Sequence, residues 1–146
     1  MKLSTRGRYV TRALLDLALH ETGTATLKDI AQRQQISVRY LEHLITPLIV
    51  AGIVRTARGP RGGISLARPP GEVKLSEVIQ LLEGSVAPVE CVDNPKLCAR
   101  SESCATRDVW CELKRVVNSV LESVTLQDLV ECQIKKEQPG EAMYQV

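Results

Sequence analysis

Tyr9, Val10, Ala13, Leu14, Leu17 and Ala18 recur at i, i+1, i+4, i+5, i+8 and i+9. That spacing gathers apolar side chains on one face of a helix and predicts one over residues 5–21. Ser4 or Thr5 can cap its start, and Gly23 in "ETGTAT" stops it. "TLKD" (26–29) sets a threonine three residues before an acid, close to a capping box, so a short helix follows over about 27–34. After the turn "QQIS", Ser37 caps a third helix from Val38. There Leu41, Leu44, Ile45, Leu48 and Ile49 fall at i, i+3, i+4, i+7 and i+8 and face the core, while Arg39, Glu42, His43 and Thr46 face away. Pro47 interrupts this pattern: it has no backbone donor and clashes with the carbonyl of His43, so a kink or early end is expected. Gly52 then closes the helix.

The period changes beyond Gly52. "IVRTARGPRGGISLAR" (53–68) reads as a β-hairpin with a Gly, Pro and Arg tip, where Pro60 cannot donate to a ladder. "RPPGE" (68–72) is a linker, and Leu75 to Leu82 form a short helix closed by Gly84. Residues 85–105 are polar, hold Pro and Ser, show neither period, and read as a loop. Thr106 caps a long helix to about Ser123. Its Trp110, Leu113, Val117, Val120 and Val124 are spaced 3, 4, 3, 4, the seam of a coiled coil. An ordinary core-facing helix has the same signature over so short a run. "TLQD" (125–128) starts a last short helix, and residues 137–146 form a tail with little to bury, expected to be disordered. The order helix, helix, turn, helix, hairpin defines a mainly α fold, a winged helix-turn-helix domain over 1–84. A cysteine loop (85–105) and a C-terminal helical part (106–136) follow it.

Composition sharpens this outline. The 146 residues include no Phe, so the core is aliphatic. Residues 1–70 carry eleven Lys/Arg and four Asp/Glu, a net charge of +7, whereas 71–146 carry eight and thirteen, a net charge of −5. A basic half joined to an acidic half suggests an anionic partner for the first, although a solvated basic face gives the same count. No apolar run approaches the length of a membrane span or a signal peptide, so a soluble, cytoplasmic protein with no membrane partner is expected. In that compartment cysteines are metal ligands or free thiols before they are disulfides.

The basic half carries the elements of a DNA reader. An amphipathic third helix can pack on one face and enter the major groove with the other. Its outward first turns hold Val38, Arg39, Tyr40, Glu42 and His43. Arg39 can pair with guanine or phosphate; Glu42 accepts only from cytosine and repels phosphate, so it selects by rejection; His43 can donate to guanine or thymine. At the hairpin tip, Arg58, Gly59, Pro60 and Arg61 form a thin basic point suited to a narrow minor groove. Arg6, Arg8, Arg12 and Arg55 can reach phosphates. Winged trihelical folds also serve as protein-interaction modules, so the pattern alone does not decide for DNA.

Five cysteines stand at 91, 98, 104, 111 and 132. "CVDNPKLCARSESC" spaces the first three as C-x6-C-x5-C, which is neither a ferredoxin pattern nor the paired C-x2-C of zinc sites. Iron–sulfur cluster, zinc and plain thiols all stay open on spacing alone. Arg100 and Arg107 can offset anionic charge there, and the start of the long helix favours thiolate. The two His residues, on the first and third helices, have no catalytic partners at suitable spacing, and "RGPRGG" lacks the Lys-Ser/Thr of a P-loop, so no enzyme is expected.

Taken together, "MKLSTRGRYVTRALLDLALH", "ISVRYLEHL", "VRTARGPRGGISLARP" and "CVDNPKLCARSESCATRDVW" resemble the IscR-type iron–sulfur regulators, whose relatives include NsrR and RirA. The resemblance spans about residues 1–130. It implies a homodimeric winged-helix transcription factor for promoter DNA, with Cys91, Cys98 and Cys104 as iron ligands, usually of a 2Fe–2S cluster. It assigns minor-groove entry to Arg58, discrimination between DNA sites to Glu42, and dimerisation to the long helix. Control of iron–sulfur cluster biogenesis genes is the implied role. The alternative is a winged-helix repressor of sulfur or redox metabolism whose thiols react rather than ligate. A cluster carrier or electron-transfer protein leaves the basic hairpin unexplained. The chain departs from the family pattern in three places. A histidine ligand three residues after the last cysteine is replaced by Arg107, which cannot ligate iron. The first cysteine spacing is one residue longer. Arg8 stands where NsrR-like members bring an acid from the partner. The fourth ligand is therefore open: Asp108 first, then Cys111, a small thiol or water.

Overall fold

A computed structural model describes residues 2–20, 25–57 and 62–138. Seven helices and a two-stranded sheet follow in the order α1 (Thr5–Leu19), α2 (Leu27–Gln34), α3 (Val38–Val50), β1 (Val54–Ala57), β2 (Gly63–Leu66), α4 (Leu75–Glu83), α5 (Glu90–Asp93), α6 (Ala105–Ser123) and α7 (Leu126–Glu137). The fold is mainly α, a winged helix-turn-helix with a β-hairpin wing and C-terminal helices.

Local chemistry sets the boundaries. The Ser4, Thr26 and Ser37 hydroxyls accept backbone N–H bonds from Gly7, Asp29 and Tyr40 and open α1, α2 and α3. Thr125 and Asp128 form a reciprocal capping box at α7. Gln35 ends α2 in the left-handed region at φ 56°, which tightens the turn into α3. The strands pair antiparallel with Val54 opposite Leu66 and Ala57 opposite Gly63. Ala25 adds a one-residue third rung, exchanging two backbone bonds with Ile64 (2.9 and 3.0 Å). Gly63 permits that approach, because a Cβ there would stand 2.5 Å from the Ala25 carbonyl oxygen.

The core joins Val10, Leu14 and Leu17 of α1 with Ile30 of α2, Leu41, Ile45 and Leu48 of α3, Val54 and Ile64 of the wing, and Val78 and Leu82 of α4. Each such aliphatic side chain contributes about 1.5–3 kcal/mol when fully buried. Leu126 and Val130 of α7 belong to the same core. Backbone bonds from Leu75 to Val124 and from Leu126 to Val73, both 2.9 Å, clamp the start of α7 beside α4.

The structure differs from the sequence reading in several places. Helix α3 runs through Pro47 to Val50 without an early end. The His43 carbonyl that loses its donor belongs to an exposed residue, where water can serve it. Ile49, expected in the core, is on the surface; at 3.6 residues per turn it lies about 80° around from Leu41, at the stripe's edge. The two C-terminal helices, grouped as 106–136, part company: α7 joins the core, whereas no residue of α6 is buried. The N-cap position of α6 is Cys104, not Thr106, and no side-chain capping bond closes it. Residues 85–105 are not a plain loop: they hold the single turn α5 and 3-10 turns at Pro95–Leu97 and Ser101–Ser103. Glu137 ends α7, so the tail begins at Gln138, and residues 139–146 lie outside the described residues.

Candidate functional site

Helix α3 presents one face to the core and the other to solvent. Arg39, Glu42 and His43 are exposed on that outer face, and Val38 is 39% exposed. Thr46 donates to the Glu42 carbonyl (3.0 Å). Tyr40 is half-buried, packed edge-on against Tyr9 of α1. Arg58, Gly59, Pro60 and Arg61 lie outside the described residues. The strands leading to them are held in register, and Arg55 of β1 donates to Ser65 of β2 (3.1 Å).

Two helices are locked beneath this surface by a network that periodicity could not reveal. Asp16, only 2% exposed, receives Arg33 through Nε (3.0 and 3.1 Å) and Nη2 (2.6 Å), and Gln34 through Nε2 (2.9 Å). Burial opposes its charge, but the hydrogen bonds from Arg33 and Gln34, with the attraction of Arg33 and His20, hold its carboxyl below the ordinary carboxylate value.

The thiol segment is built against the first turns of α6. Cys104 is the helix's N-cap residue, and its Sγ lies 3.1 Å from the Thr106 hydroxyl. That hydroxyl and then the Arg107 backbone N–H hold the Cys104 thiol below its usual value, against partial burial and the nearby Asp108 charge. Arg107 also reaches back, its Nε donating to the Cys91 carbonyl (3.0 Å). A single residue thus contacts the first and third cysteines. Lys114 pairs with Asp93 (2.6 Å) and fastens α5 further along α6. Buried Ser101 donates to the Pro95 carbonyl (2.8 Å), and the Asn94 side chain accepts from Lys96, closing the turns between. Pro95 and Asn94 are ordinary turn formers that could have signalled this order.

Cys91 and Cys104 are half-buried and Cys98 is exposed. Asp108 and Cys111 stand at i and i+3 along one stripe of α6, and Cys104 precedes that helix as its N-cap residue. Among the described residues, no three His, Cys, Asp or Glu side chains are gathered at metal-binding spacing. The donor set still fits an iron–sulfur cluster in kind: three thiols in one segment, one held toward thiolate, with an acid and a fourth thiol alongside. Cys132 is exposed on α7, apart from this group in sequence. No helix among the described residues is long and apolar enough to cross a membrane.

Comparison with known proteins agrees with this architecture. Residues 3–132 match the Rrf2 family, described as an iron-dependent transcriptional regulator. Protein rrf2 of Nitratidesulfovibrio vulgaris is 44% identical over 131 residues, covering 89% of this chain and 87% of the relative. The structure of IscR from T. potens superposes with a TM-score of 0.81 at 36% identity, covering 99% of this chain and 96% of that one. The structure of CymR, the global cysteine regulator of B. subtilis, gives a TM-score of 0.78 at 38% identity, covering 90% and 97%.

Proposed function

We propose that this chain, which belongs to the Rrf2 family of transcriptional regulators, reads iron–sulfur cluster status through Cys91, Cys98 and Cys104 and reports it as a change in operator binding. It is a winged-helix DNA-binding regulator and not an enzyme. The single observation that carries the sensing reading is the double hold of Arg107. Its backbone N–H faces the Cys104 sulfur and its side chain grips the Cys91 carbonyl. Two of the three candidate ligand residues are thereby tied to Arg107 in the first turn of α6, with exposed Cys98 left to swing in.

A cluster, when bound, supplies a redox-active and oxygen-labile anionic centre. The chain does the rest. Thr106 and the α6 N-terminus lower the cost of ionising Cys104 for ligation. Bringing Cys98 to Cys91 and Cys104 requires the 94–103 turns to shift, which couples ligation to the face of α6. Asp108 leads as fourth ligand, Cys111 follows on the same stripe, and a small thiol or water is the remaining choice. Helix α6, buried nowhere in one subunit, pairs with its copy to form a homodimer, setting two recognition helices on a two-fold operator. On each, Arg39 and His43 meet base edges, Tyr40 stands beside them and Glu42 rejects unsuitable bases. Arg58, within the tip Gly59, Pro60 and Arg61, enters the minor groove. The genes controlled are those of iron–sulfur cluster biogenesis.

A second reading, repression of sulfur or redox metabolism through reactive thiols, is favoured by one observation: Cys104 is both half-exposed and held toward thiolate with no metal needed. Anaerobic purification separates the two. The sensing reading expects a brown protein with iron and acid-labile sulfide, whose spectrum shifts in Asp108→Ala and not in Cys111→Ala. A colourless, iron-free protein contradicts it and favours reactive thiols.

A further inference from the structure

Arg12 projects from the exposed side of α1, and its charge alone would make it one more phosphate contact. Its neighbours say otherwise. Nη2 donates to the Gln34 carbonyl at 2.7 Å, and Nε donates to Gln34 Oε1 at 3.1 Å. The guanidinium carbon also stands 5.7 Å from the centroid of the Tyr9 ring. Tyr9 meets Tyr40 of α3 edge-on, with centroids 6.0 Å apart and rings at 78°. Gln34, in turn, is fixed from its other side by its bond to Asp16.

We infer that Arg12 is a positioning residue for operator recognition, fixing how α3 meets the groove rather than gripping the DNA backbone. Gln34 is the last residue of α2, and its carbonyl is one of those a helix end leaves without a partner. A cation there is favoured by the helix dipole. Only residues 35–37 separate that carbonyl from Val38, where α3 begins. Arg12 therefore holds the turn's entry through Gln34 and the first turn of α3 through Tyr9 and Tyr40. Both grips come from one rigid stretch of α1, and the planar guanidinium fork sets an angle that an ammonium cannot. Hydrogen bonds to base edges depend on how α3 is seated in the groove, whereas phosphate attraction is indifferent to sequence. Loosening the turn should erode sequence discrimination before non-specific binding.

The inference rests on α3 being the recognition helix, and the experiment separates the two. The full chain, in one anaerobic preparation, selects a duplex from a random-sequence library. Its affinity for that duplex and for a scrambled duplex of equal length is then measured between 50 and 200 mM salt, a range over which phosphate contacts dominate the response. Arg12→Ala should weaken the selected duplex by about tenfold, as expected for loss of a charged hydrogen bond. The scrambled affinity and the slope of log K against log salt should stay unchanged. Arg12→Lys should recover only part of the loss. Tyr9→Leu, which changes no charge, should lower the same ratio at unchanged slope, and circular dichroism confirms that each variant is folded. Equal weakening on both duplexes with a slope reduced by about one marks a phosphate contact and overturns the inference. So does Arg12→Ala with wild-type values, or Tyr9→Leu with an intact ratio. If wild type enriches no sequence from the library, the recognition-helix reading fails as well.

Discussion

Asp16 is almost fully buried and charged, and its partners come from α2. Asp16→Asn removes charge-assisted bonds from Arg33 and should cost roughly 1–3 kcal/mol, nearer the lower end because the Arg33 side chain is 37% exposed and screened. The sign of its pH dependence follows from a carboxyl held below its unfolded value of 3.8. Its stabilisation is complete above that value and is lost as pH falls through the lower folded value. Urea unfolding should show a constant gap between wild type and variant near neutrality, closing below about pH 4; a gap that widens on acidification would contradict the assignment. Nothing in the helical period announced this residue, since the pattern marks position 16 as one more polar site beside Leu15 and Leu17. A buried carboxylate becomes visible only when a second helix supplies its donors.

Among the elements, α1, α2, α3 and α7 were legible because apolar positions and Ser/Thr caps agree. The hairpin was legible from its change of period. The rung at Ala25 was not, because a single residue has no period; only Gly63, a glycine inside a strand, hinted at a close backbone approach. Gly63→Ala would press a methyl against the Ala25 carbonyl and break two backbone bonds, each worth about 1 kcal/mol. A loss of about 2 kcal/mol with faster exchange of the Ile64 amide is expected, and protection equal to wild type would rule out the rung. Between Cys91 and Cys104, Asn94 and Pro95 hinted at a turn, but the seat of α5 depends on tertiary anchors, the Arg107 and Lys114 side chains of α6, that no local pattern encodes. The seam of α6 was legible, but not what it faces. Leu113, Val117 and Val124 are half-buried, with α4 packed against α6, whereas Trp110 and Val120 are 37% and 56% exposed, so the stripe is only partly covered within its own chain. Val120→Arg should convert a dimer to a monomer by light scattering while helical content holds; an unchanged mass would remove α6 from the interface.

Over the whole molecule, the winged-helix core is joined to the thiol segment and α6 through Lys74, Leu75, Val124 and Leu126, where α4, α6 and α7 meet. Helix α4 packs in the same core as α3 and against α6, so it lies between α3 and the helix that carries the thiol segment. The charge split and the cysteine spacing are visible in the sequence, whereas the packing of α4 between α3 and α6 is tertiary and is not. If ligation at Cys91, Cys98 and Cys104 alters how α3 and the wing sit on DNA, operator affinity must change when the thiols are removed. Anaerobic wild type is measured beside the Cys91→Ala, Cys98→Ala, Cys104→Ala triple variant, with iron and sulfide counted in the same samples. A cluster is expected in wild type only, with operator affinities that differ by about tenfold or more, the span of a typical coupling free energy. Identical affinities from a cluster-bearing wild type and a cluster-free variant would contradict that coupling.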